Sequence, residues 1–165
     1  MAIASNFLAN TVDPGLSWMQ SVLGAKPPAS DAARLALTAF AGQETYWRDI
    51  DQIGGGDGRG PWQAGRVIIA DLLHNLDTAM LMHKCCASLG IAVSVEPIYA
   101  AIIGNPKLSV ALARLSLWAD PFPIPAIGDQ AGLWKCYLRV WRPGAPRPDD
   151  WPDVYQQSLE AIQNA

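Results

Sequence analysis

The residues best equipped for chemistry crowd into one stretch, GQETYWRDIDQIGGGDGRGPWQ, residues 42–63. It carries Glu44, the aspartates Asp49, Asp51 and Asp57, glycines at positions 54, 55, 56, 58 and 60, and the pair Trp62-Gln63. Just upstream, Ala33, Leu37, Phe40 and Ala41 lead to Glu44 at i, i+4, i+7, i+8 and i+11, the spacing of one buried helical stripe. Glu44 therefore continues an apolar face. A carboxyl placed there loses water, which disfavours its charged form and raises its pKa, the condition for a general acid that keeps its proton near neutral pH. Such a group protonates poor leaving groups, a glycosidic oxygen among them. The opposing reading frays the helix at Thr45 and swings Glu44 into solvent, where it pairs with Arg48 at i+4.

The glycines favour the first reading. They permit positive φ and close approach of backbone to a ligand, and each costs folding entropy, so a plain connector has little use for five. Two familiar glycine-loop chemistries fail on inspection. A phosphate loop needs Gly-Lys-Ser or Gly-Lys-Thr, whereas Gly60 is followed by Pro61-Trp62. A calcium loop begun at Asp49 has Asp51 in place, but Ile53 falls at the fifth position and Gly60 where the bidentate glutamate belongs.

These residues have to be positioned by helices, because Pro and Gly punctuate the chain into short segments with no sustained strand-like alternation. Asp13-Pro14-Gly15 is expected to split the first two, and Lys26-Pro27-Pro28 to end the second. Ser30 reads as the N-cap of a helix from Asp31 to Thr45. Gly60-Pro61 is expected to open a helix running through Asn75, and Asp77 to cap one that stops at Gly90. A helix over Pro97 to Ile103 stops at Gly104, Asn105-Pro106 cap another to Trp118, and further helices span Gln130 to Arg142 and start at Trp151. The sum is one mainly α domain over residues 1–165, with an N-terminal helical segment, 1–30, packing on the core. It has one irregular Gly-rich excursion and no internal repeat.

The composition narrows the partners. Half of the 165 residues are hydrophobic, enough for a proper core. A net charge of −3 gives neither the basic footprint of a nucleic-acid binder nor a polybasic membrane patch. No apolar run approaches the ~20 residues that span a bilayer, and MAIASNFLAN lacks the features of a signal peptide, so the expected place of synthesis and residence is the cytoplasm until another agent moves the protein. Cys85, Cys86 and Cys136 read as reduced core thiols rather than a disulfide set, in preference to a His74/His83/Cys85/Cys86 zinc cluster.

The Gln43-Glu44-Thr45 helix end, the glycines and Gly60-Pro61-Trp62-Gln63 together resemble the active-site region of the lysozyme superfamily, in particular goose-type lysozymes and lytic transglycosylases. There a catalytic Glu closes a helix in a Glu-Ser-like motif ahead of a Gly-rich segment ending Gly-Leu-Met-Gln; here Thr45 and Pro61-Trp62 depart from that pattern. From Ala32 onward the chain is similar to lysozyme-like proteins of tailed phages and prophages, through HKCCASLGI, GNPKLSVALARLSLWADP and IPAIGDQAGLWKCYLRVWRPG. The resemblance implies a lysozyme-like helical domain with a Gly-rich active-site loop or small hairpin. It also implies cleavage of the β-1,4 bond between N-acetylmuramic acid and N-acetylglucosamine in peptidoglycan, with no cofactor and no metal. It is compatible with holin-dependent export to the periplasmic wall or packaging in a virion.

Under that resemblance Asp57 resembles the acidic position that places the attacking water, with Asp51 behind it. A hydrolase of the inverting kind needs such a second carboxylate, which gives hydrolysis a slight preference. A lytic transglycosylase needs Glu44 alone. Trp47 and Trp62 would offer aromatic faces to sugar rings. Gln63 would meet an N-acetyl group or Glu44, and Tyr99 would reach Glu44 through its hydroxyl. Trp118, Trp134 and Trp141 read as packing, Asn105 as a cap. Lys135, Arg139, Arg142 and Arg147 read as a solvated face rather than a contact for anionic wall polymers. Rival readings from another class are a virion structural protein or a wall-binding module that keeps the scaffold without the chemistry.

Overall fold

The computed structural model describes residues 2–51 and 54–165. Among these the regular structure is helical, and the sole β pairing is an isolated antiparallel bridge between Arg59 and Ala64. The mainly α expectation therefore holds.

The chain opens with α1 (Ile3–Phe7), a π-helical segment (Leu8–Val12) and α2 (Asp13–Leu23), which run on without a break. The expected interruption at Asp13-Pro14-Gly15 does not occur. Pro14 sits in the first turn of α2, and the amide of Asp13 reaches back five residues to the carbonyl of Leu8. The wider π turn shifts the i−4 carbonyl that a proline ring would strike. Gly15 serves a different purpose: a Cβ there would come within 2.6 Å of Val110, so α2 crosses the helix over Pro106–Ala119 at this point.

Helix α3 (Asp31–Thr45) starts as expected, with Ser30 Oγ accepting the Ala33 amide at 3.2 Å. Its residues from Leu35 to Gln43 are buried on every side, so it forms the centre of the core and packs against α9 (Trp151–Gln163). Helix α7 (Pro106–Ala119) is similarly enclosed, and Asn105 Oδ1 accepts the Leu108 amide as its cap. Between them stand α4 (Arg66–His74), α5 (Ala79–Leu89) and α6 (Val95–Ala100). Thr78, not Asp77, immediately precedes α5; its hydroxyl donates to the Leu72 carbonyl, and the Asp77 amide donates to Asn75 Oδ1. Gly90 ends α5 in the left-handed region, as expected. Helix α6 begins at Val95, two residues ahead of Pro97, and finishes before Ile103. Asp129 caps α8 (Gln130–Trp141) by accepting the Gly132 amide, and Arg142 follows in the left-handed conformation.

The helix expected from Gly60 is the main departure. Gly60 and Gln63 have φ of 73° and 49°, which no α-helix includes, and the Gln63 amide donates to the Gly60 carbonyl at 3.0 Å. Residues 59–64 thus make a tight hairpin-like turn, and α4 waits until Arg66.

The three cysteines are buried free thiols; burial pushes Cys85 up to about 12 and Cys136 up to about 11. Among the described residues no group of three or more His, Cys, Asp or Glu is placed to hold a metal ion, so His74, His83, Cys85 and Cys86 do not converge. No helix of the described residues is long and apolar enough to cross a membrane.

Candidate active site

Helix α3 stops one residue beyond Glu44. Tyr46 and Trp47 both take left-handed φ, 52° and 62°, and their amides return to the carbonyls of Gly42 and Ala41. Two consecutive non-glycine residues in this region store backbone strain, which persists only where surroundings enforce it. The surroundings are visible. Trp47 Nε1 donates to the Thr38 carbonyl at 2.8 Å, and its ring lies where a Cβ on Gly42 would stand. Thr45 Oγ1 donates to the Pro61 carbonyl at 2.8 Å and accepts the Arg48 amide. Trp62 Nε1 donates to the Leu37 carbonyl, and Trp141 Nε1 to that of Trp62. The turn carrying Gln63 is thereby bonded to the acid's helix twice and to α8 once.

Glu44 is half-buried, and Tyr137 Oη donates to its Oε1 at 2.5 Å. Tyr137 cannot swing away, because its ring is held among Phe40, Trp134 and Trp151 at centroid distances of 5.2, 5.3 and 6.0 Å. Burial raises the Glu44 pKa above the ordinary glutamate value; the Tyr137 hydroxyl and the charge of Arg147 pull it back without cancelling the rise. The pairing with Arg48 is not formed, since Arg48 Nε turns to the Thr45 carbonyl instead.

Beside Glu44 opens a cleft of about 740 Å³, lined by Glu44, Asp57, Gln63, Tyr137, Trp141 and Arg147 among others. That falls within the ~300–1,000 Å³ typical of small-molecule sites. Asp57 sits at its edge. Its Oδ2 accepts the Arg66 amide at 2.6 Å and its Oδ1 meets the Arg66 guanidinium. Slight burial pushes Asp57 up, but the Arg66 amide and guanidinium outweigh it and hold the carboxyl below its ordinary value. Arg66 itself is shared with Glu96 at 2.6 Å.

The predicted residues divide accordingly. Glu44, Asp57 and Gln63 come together at the cleft. The Gln63 amide is engaged on the carbonyls of Ile50 and Gly60, so its visible work is to shape the turn. Trp47 and Trp62 are core residues, 9% and 1% exposed, and offer no face to a sugar. Tyr99 does not bond to Glu44: its ring carries the guanidiniums of Arg59 and Arg66 at 4.0 and 3.7 Å, and Tyr137 takes the place expected of it. Asp51 pairs with Arg59 at 3.2 Å. Of the basic residues, Lys135 is exposed and Arg139 clamps Asp120, but Arg142 and Arg147 line the cleft rather than a solvated helix face.

Sequence reasoning misses Tyr137, Arg147 and the cleft-lining role of Trp141. The available signal was α8 itself, where Leu133, Tyr137 and Trp141 repeat every four residues, with a hydroxyl in the middle of an otherwise apolar stripe. No protein-family model, curated protein or solved structure matches the chain.

Proposed function

We propose that the protein is a glycosidase acting on peptidoglycan, with Glu44 as the general acid that protonates the oxygen of the β-1,4 bond between N-acetylmuramic acid and N-acetylglucosamine, on a lysozyme-like scaffold. The observation that carries this reading is a half-buried carboxyl, bonded to Tyr137, at the wall of a cleft of about 740 Å³. Desolvation favours the protonated form that a general acid needs, and the aromatic packing around Tyr137 fixes the direction of the bond it makes to Glu44. Asp57, at the edge of the same cleft with its carboxyl held below the ordinary value, supplies a negative charge to an oxocarbenium-like centre. Because Arg66 engages both of its oxygens and lowers its basicity, Asp57 is better suited to that electrostatic role than to strong proton abstraction.

Clearing of purified sacculi tests the reading. Glu44→Gln keeps size and an acceptor for Tyr137 but has no transferable proton, so activity falls about 100-fold or more while the helical circular dichroism persists. Full activity in that variant rejects Glu44 as the acid. A wild-type protein that leaves sacculi intact at every pH instead describes a scaffold without this chemistry. Product masses show what attacks the anomeric carbon: reducing ends for water, 1,6-anhydro ends for the muramyl 6-hydroxyl.

A further inference from the structure

General acid catalysis has two demands that pull apart. The acid must keep its proton before reaction, which burial secures, and must exist as a carboxylate once the proton has gone to the bridging oxygen and the C1–O electron pair has stayed with that oxygen. Burial alone opposes the second state. Tyr137 offers one hydrogen bond to it. The remaining charged groups on the cleft are Asp57 from the Gly-rich segment, Arg142 at the end of α8 and Arg147 from the segment between α8 and α9. Asp57 has the wrong sign, and Arg142 gives its Nη2 to Asp71 at 2.5 Å, whereas Arg147 meets Asp150 through Nε and leaves Nη2 without an acceptor.

Arg147 is different in three ways. It is tied to the acid's own helix, since Gln43, the residue preceding Glu44, donates its Nε2 to the Arg147 carbonyl at 2.9 Å. Its guanidinium is oriented: Nε donates to Asp150 at 2.7 Å, the group lies 4.4 Å over the Tyr46 ring, and Tyr46 Oη closes the circuit by donating to Asp150 at 2.6 Å. Lastly, its Nη2 is buried with no hydrogen-bond partner, as is Oε1 of Gln43. A buried guanidinium hydrogen left without an acceptor is costly, and such an exception calls for a reason.

We propose that Arg147 is a positioning residue of the Glu44 site, a cation latched by Tyr46 and Asp150 so that its unpartnered Nη2 side stabilises the carboxylate left on Glu44 as the proton departs. This rests on the glycosidase reading above, and it reaches a residue 103 positions from the acid that the motif does not contain. Its charge already acts on Glu44 in the expected direction, lowering a pKa that burial raises.

The test uses the full chain and two readouts. Glutamates occur only at 44, 96 and 160, so 13C-carboxyl labelling of glutamate with Glu44→Gln as the assignment control follows Glu44 directly. In Arg147→Gln the Glu44 titration moves up by roughly one pH unit, and on sacculi the alkaline limb of kcat/KM moves up with it while kcat falls. Arg147→Lys retains the charge and keeps both near the wild-type position. An unmoved Glu44 titration in Arg147→Gln, or Lys behaving as Gln does, overturns the proposal. Should wild type cut no sacculi, the glycosidase reading falls on that result, while the carboxyl titration still decides whether Arg147 acts on Glu44.

Discussion

A carboxyl chosen to hold a proton is one the fold prefers neutral, and that preference has a measurable sign. Burial raises the folded pKa of Glu44 above its ordinary value of 4.5. A group raised in this way favours folding fully below its unfolded pKa, and the advantage is lost as pH rises through the folded pKa. Glu44→Gln is therefore expected to melt at a higher temperature than wild type at pH 7, with the difference closing as pH falls towards 4.5; paired thermal scans at the two pH values measure it. A variant less stable than wild type at pH 7 contradicts a desolvated Glu44. Tyr137→Phe makes the complementary case. The ring stays among Phe40, Trp134 and Trp151, only the hydroxyl goes, and one hydrogen bond to the acid is lost. The expected cost is about 1 kcal/mol in urea unfolding, accompanied by a further rise in the Glu44 titration.

Between elements, the critical joint is where α3 ends against the 59–64 turn. Thr45 is wholly buried, and its hydroxyl is the donor for the Pro61 carbonyl. Thr45→Val preserves the shape and strands that carbonyl, so a loss of about 1–3 kcal/mol is expected by chemical denaturation, whereas Thr45→Ser keeps the bond and loses only a methyl contact. Gly15→Ala tests the other joint: with Val110 2.6 Å from the new methyl, α2 and α7 must separate, at a cost of about 1–3 kcal/mol. The capping signals at Ser30, Gly90 and Asn105 are readable from sequence because a cap is a local hydrogen bond between neighbours. Pro14 and Pro61 mislead for the converse reason. Whether a proline breaks a helix depends on what the preceding turn does with its carbonyls, and whether Gly-Pro starts one depends on what buries the next residue. Here a π turn accommodates Pro14, while Trp62 is drawn into the core against Phe7, 5.3 Å between ring centroids, and turns the chain before α4 begins.

At the scale of the whole molecule the site is assembled from two distant parts of the chain. The part within 42–63 is legible, since a carboxyl on an apolar stripe followed by glycines is a local pattern. Tyr137 and Arg147 are not, because 93 positions separate Glu44 from Tyr137 and 104 separate Gln43 from Arg147, and nothing local marks either residue as lining the cleft that holds Glu44. A site built this way depends on the chain folding as one body. The buried thiols report on that directly. Cys85 and Cys86 lie on α5, Cys136 on α8, and all are 0–1% exposed with pKa values raised by burial, so each is doubly protected from thiolate chemistry while folded. If α8 and the α5 region unfold in one cooperative transition, an aromatic disulfide reagent labels all three cysteines at the same urea midpoint and none below it. Replacing Cys136, or the Cys85-Cys86 pair, by Ala in separate variants assigns the signal to each region, and the midpoint of each remaining signal should match the loss of helical circular dichroism in the same variant. Labelling of Cys136 at a lower urea concentration would mean that α8 detaches first, carrying Tyr137 away from Glu44 while the acid's own helix is still folded. Under the glycosidase proposal, cleavage of sacculi would then vanish ahead of the main unfolding transition. A single midpoint instead makes activity and global stability fall together, which is the outcome expected of a core in which α3, α7 and α8 share their buried faces.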